Sequence, residues 1–132
     1  MKRNALALIV VGALMSGVNV YAHHSFSGTY DKTKVVRLDG KLIRMLYRNP
    51  HSFIHIAVPD DKGQVQEWSI EWQGGVQLAG ASITRTTLKV GDPLIVTANP
   101  SRTPGELRAV MVSLKRTTDG FAWGEKAGQV VD

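Results

Sequence analysis

The chain has 132 residues, a formal net charge of +5 and no cysteine. Without cysteine there is no disulfide framework and no thiolate metal site, so any metal must be held by His, Met, carboxylate or a free amine. The length suits a single domain with a working core, and the scattered basic excess (Lys32, Lys34, Arg37, Lys41, Arg44, Arg48) reads as a solvated surface rather than a nucleic-acid patch.

The first residues read as a secretory signal peptide. Lys2 and Arg3 precede an apolar run from Ala5 to Met15, and Val20-Tyr21-Ala22 offers small or short residues where a signal peptidase reads. Gly12, Ser16, Gly17 and Asn19 interrupt the run, which is short of the ~20 residues of a membrane span. Cleavage after Ala22 leaves 110 residues beginning His23-His24-Ser25-Phe26, removes Lys2 and Arg3, and lowers the formal charge from +5 to +3. An exported, cysteine-free chain that does not span a membrane after processing suits the bacterial periplasm or exterior. The mature part is expected to be one β-barrel domain over 23–132, with its core at about 34–116 and a tail from 117.

Residues 23–33 form a polar lead-in. Strand signals follow, with turn residues between alternating runs. The first strand is expected over Val35 to Tyr47, with Gly40 marking a bulge or bend that lets it serve two neighbours. Pro50 keeps Asn49 out of helical geometry, and Phe53 to Val58 alternates cleanly. Asp60-Asp61-Lys62-Gly63 signals a hairpin, and Val65 to Trp72 is the third strand. A three-residue loop with Gly63 left-handed pairs Ile56 with Trp68, Ile54 with Ile70, His55 with Ser69 and Phe53 with Glu71. A one-residue slip would turn the apolar set over. The core face is then Ile54, Ile56, Trp68 and Ile70, and the outer face carries Phe53, His55, Glu67, Ser69 and Glu71. After Gly74-Gly75, Val76 to Ile83 fits a helix of about two turns. Leu94 to Ala98 and Leu107 to Leu114 are the last two strands, and Phe121 and Trp123 in the tail are candidates to fold back as a cover. The order predicts a mainly β fold: a small five-stranded OB-fold-like barrel with one short helix between strands 3 and 4.

A signal peptide, a mature start of Ala22-His23-His24-Ser25-Phe26, Leu38-Asp39-Gly40-Lys41 in a strand, Asn49-Pro50-His51 leading another, and a later Leu88-Lys89-Val90-Gly91-Asp92 resemble a family of short exported bacterial proteins of unknown function. The resemblance covers His23 to about Phe121. It implies a compartment and no reaction, and it puts His51 ahead of His55 as the site histidine.

Processing would give His23 an α-amine beside its ring nitrogen. The two form a chelate, and a third nitrogen from His24 or His51 would complete a site suited to copper, the usual favourite of nitrogen ligands. The arrangement resembles the histidine-brace sites of exported copper proteins. His51 and His55 are four residues apart on a strand, ~13 Å, so they cannot share one ion. Met45 and Met111 suggest instead a Cu(I) site of the kind small OB-barrel copper chaperones hold, here with Met45, His51, Trp68 and Trp72, although both tryptophans have core parity and methionines in strands usually fill gaps. Glu67 and Glu71 are too far apart for paired-carboxylate hydrolysis, and no nucleophile elbow, phosphate loop or Ser-His-Asp arrangement is present. No catalytic residue is assigned and an enzyme is not expected. The reading is an exported binding protein, with copper held by His23, His24 and His51. The alternative is a non-catalytic module that contacts an envelope protein or other cell-envelope ligand through Phe53, His55, Glu67 and Glu71. Two carboxylates on that face argue against nucleic acid as a partner.

Overall fold

The first strand decides the architecture. In the computed structural model, which describes residues 28–124, β1 (Val36–Leu46) buries Leu38 and Leu42 and turns Arg37, Asp39 and Lys41 outward. Its first half pairs antiparallel with β4 (Pro93–Pro100), from Val36 opposite Ala98 to Lys41 opposite Pro93. Its second half pairs with β2 (Phe53–Pro59), from Lys41 opposite Ala57 to Leu46 opposite Phe53. A bulge between Leu42 and Arg44 bends the strand where it changes partners. Gly40 lies just before that bend, and a Cβ there would sit 2.4 Å from the Ala57 carbonyl oxygen, so glycine is required by a close approach of two backbones. The proposed signal peptide, His23, His24 and the last eight residues lie outside the described residues.

The hairpin of β2 and β3 (Val65–Glu71) has the expected register: Phe53 faces Glu71, Ile54 faces Ile70, His55 faces Ser69 and Ile56 faces Trp68. Asp60 N–H donates to the Gln64 carbonyl, and Gly63 takes a φ of +77° inside the loop. The register follows from burial, because it sends Ile54, Ile56 and Ile70 to full burial together. Each is worth about 1.5–3 kcal/mol in removed apolar surface.

β5 (Arg108–Arg116) lies antiparallel to β4 and runs parallel to β3 over Ser69–Arg108, Ile70–Ala109 and Glu71–Val110. That pairing closes a barrel of five strands in the order β3-β2-β1-β4-β5. The fold is mainly β, with one short helix, α1 (Gly75–Gly80), between β3 and β4. The helix is shorter than expected. It starts against the turn before β2, where a Cβ on Gly74 would meet the Pro50 carbonyl oxygen at 2.4 Å and one on Gly75 would meet the Tyr47 ring at 2.7 Å. The chain then adds a strand that alternation did not reveal: β6 (Ala122–Trp123) pairs with Leu114 and Lys115, and Phe121 and Trp123 pack on the core. Met111 is part of the core and Met45 packs against it, so both methionines fill space.

Gly40→Ala is expected to lose about 1–3 kcal/mol in urea unfolding, because β1 and β2 must move apart to admit the methyl. Gly80→Ala, with nothing within 4 Å of the added carbon, is expected to be neutral or slightly stabilising in the same assay.

Candidate functional site

Outward parity would leave Glu71 in solvent, yet it is only 7% exposed. Three elements converge on it. Its Oε1 lies 2.9 Å from Nδ1 of His51, just ahead of β2. Its Oε2 accepts from Nη2 of Arg108 on β5 at 3.0 Å, and from the hydroxyl of Tyr30 in the lead-in. A buried carboxylate needs such partners, since an unpaired one would cost several kcal/mol.

Each partner is positioned by backbone structure. Tyr30 bridges to Ser101 at the end of β4, with Asp31 N–H donating to the Pro100 carbonyl and Arg102 N–H to the Thr29 carbonyl, and the ring is buried to 1% exposure. Arg108 is brought beside Glu71 by the parallel β3–β5 pairing. His51 follows the cis Asn49–Pro50 peptide. Its turn is fastened by Ser52, fully buried, whose hydroxyl donates to the Arg48 carbonyl and whose N–H donates to the Gln73 carbonyl. Asn49 Oδ1 accepts from Val76 N–H at 3.2 Å and ties the turn to α1.

The carboxylate lies against one nitrogen of the imidazole. The 2.9 Å approach is an ion-pair distance without the alignment of a hydrogen bond; a proton on Nδ1 would make it attractive, because a carboxylate oxygen only accepts. In the neutral ring that tautomer would leave the lone pair on Nε2. This carboxylate–imidazole couple is the arrangement that orients metal-binding histidines. His51 and Glu71 line two depressions, one of about 400 Å³ shared with Trp72, Gln77 and Trp123, and one of about 330 Å³ shared with Arg48, Asn49 and Phe53.

Of the sequence-derived site residues, His51 and Glu71 are together. His55 is elsewhere, with Nδ1 2.8 Å from Glu67, which also accepts from Arg44 at 3.1 Å. Phe53 lies under two guanidiniums, Arg48 at 5.1 Å and Arg108 at 5.7 Å from its ring centre. His23 and His24 fall outside the described residues. Among the described residues no group of three or more His, Asp or Glu could hold a metal. Sequence reasoning missed Tyr30 and Arg108. The one available signal was Arg108 heading the apolar run from Ala109 to Val112; Tyr30 gave none.

A model of a family of unknown function (DUF6152) matches residues 12–108. No curated protein matches the chain. Two crystal structures of the mitochondrial single-stranded DNA-binding protein Rim1 from S. cerevisiae share the barrel: one at 17% identity and TM-score 0.50, covering 66% of this chain and 96% of theirs, the other at 16% and 0.51, covering 67% and 97%. The likeness is one of OB fold. It also corrects the exclusion of nucleic acid, because proteins sharing this fold bind single-stranded DNA. Nor do the two carboxylates make the face anionic: Glu71 is buried against Arg108, and Glu67 is paired with Arg44.

Burial, then the hydrogen bond to Glu71 and the charge of that carboxylate, pushes the Tyr30 phenol well above its ordinary value of 10.0. The folded chain thus holds this proton more tightly than the unfolded chain does. The stability it contributes is fully present below pH 10.0 and is lost as pH rises beyond it. Urea unfolding on either side of pH 10.0 is expected to show a fall for the wild type and a shallower fall for Tyr30→Phe. At neutral pH that variant should be less stable by about 1–2 kcal/mol.

Proposed function

The chain belongs to the DUF6152 family of unknown function, and we propose that it is an exported binding protein that holds a transition metal, copper foremost. In this reading the signal peptide is removed after Ala22. The amine and ring of His23, with His24 as a further imidazole, join Nε2 of His51. One observation carries it: the carboxylate that orients His51 is also the one that anchors Tyr30. The lead-in is thereby fastened beside the oriented histidine. His23 is seven residues from Tyr30, at most roughly 24 Å of chain and less where Gly28 and Thr29 are helical, and the reading needs the new amino terminus to return to His51 within that reach. Imidazole and amine nitrogens select Cu(II) over the lighter divalent ions. The pairing of His51 with Glu71 supports ligation through Nε2.

Titrating the processed chain with Cu(II) tests this. Tight one-to-one binding is expected, weakened at least tenfold by one residue added before His23 and by His51→Ala, and unchanged in His55→Ala. Glu71→Gln is expected to weaken it 10–100-fold, as removal of an orienting carboxylate does. No binding, or binding indifferent to the extension, would remove the metal reading.

A further inference from the structure

The outer face of the barrel carries a cationic band that no strand read alone displays. Pairing sets Arg44 on β1 opposite His55 on β2, His55 opposite Ser69 on β3, and Ser69 opposite Arg108 on β5. These four residues form one row across four strands. From Arg44 to Arg108 the row crosses three strand spacings, roughly 14 Å. The next row places Phe53 beside Glu71. Arg48, beyond the end of β1, lies over the Phe53 ring from one side of this row, and Arg108 lies over it as well.

The charge on this face is set by burial. Three guanidiniums meet two carboxylates, and they do not cancel evenly. Glu71 is withdrawn from solvent and holds Arg108 with one of its oxygens. Glu67 is shared between Arg44 and His55. Arg48 has no carboxylate within ion-pair distance among the described residues; its Nε makes only a 3.4 Å bond to the His51 carbonyl. The exposed surface is therefore net cationic, elongated across the strands, and centred on an aromatic ring.

We propose that this band binds a single-stranded nucleic acid, its phosphates at Arg44, Arg48 and Arg108 and an unpaired base against the Phe53 edge. Length and charge favour a linear polyanion, and the ring among the guanidiniums favours one whose flat apolar groups are accessible, which a duplex conceals. Such surfaces pair a basic track with base–aromatic contact and tolerate any sequence. The site is distinct from the proposed metal donors, because none of its arginines is among them.

Fluorescence anisotropy of a labelled oligothymidylate of about 15 nucleotides, titrated with the purified chain at low salt, tests it. Binding is expected, and three phosphate contacts predict that log affinity falls against log salt with a slope of about −2. Ser69→Glu puts a negative charge into the middle of the row and removes no side-chain bond seen there. It and the double variant Arg44→Ala/Arg48→Ala should each weaken binding at least tenfold with no change in the unfolding midpoint beyond that of a surface substitution. Absence of binding, or equal binding by both variants, overturns the proposal. Equal affinity for a duplex of the same length, or for heparin, also overturns it, since the band would then be a generic polyanion surface.

Discussion

One carboxylate, that of Glu71, joins three parts of the chain that backbone pairing brings beside the end of β3. It belongs to the end of β3, yet its oxygens are held by the turn before β2, by the start of β5 and by the lead-in to β1. Buried charge of this kind is weak support for net stability, because desolvation offsets most of the attraction. Its consequence is specificity. With Glu71 in place, the Tyr30 hydroxyl donates its proton to the carboxylate, Arg108 is held at the β3–β5 seam, and the His51 ring has its Nδ1 turned to a carboxylate oxygen. Removing any one partner leaves the others facing an uncompensated charge.

The same carboxylate explains the character of the outer face. Two acidic residues on an outward face imply repulsion of anions. Because one of them turns in among Tyr30, His51 and Arg108, the face that solvent meets is arginine-rich and carries Phe53 at its centre. Metal ligation by His51 and strand binding along the arginine row would then be two uses of one buried pair, the first through the imidazole that Glu71 orients and the second through the charge it withdraws.

How much of this was legible in the sequence follows from how local each interaction is. The β2–β3 register could be read because Ile54, Ile56, Trp68 and Ile70 share a parity and Gly63 fixes the loop. The bent first strand could be anticipated from Gly40, although the bulge lies just beyond it and the glycine is there for the Ala57 carbonyl. The Glu71 cluster could not be read. Tyr30 is 41 residues from Glu71 and Arg108 is 37, and no periodicity connects them; only barrel closure does. Parity put Glu71 outside correctly, but parity knows nothing of a lead-in that returns to cover it. The two-residue β6 is likewise too short to alternate, and it exists because β5 leaves an edge beside Trp72 for Trp123 to occupy.

Ligation through Nε2 of His51 requires the proton of that ring to sit on Nδ1. Nitrogen-15 NMR of the His51 imidazole in the metal-free chain, near neutral pH, reads the two nitrogens separately. The buried carboxylate predicts a protonated, pyrrole-like Nδ1 and a pyridine-like Nε2, with the preference lost in Glu71→Gln. A pyridine-like Nδ1, or equal populations of the two tautomers in the wild type, would contradict it.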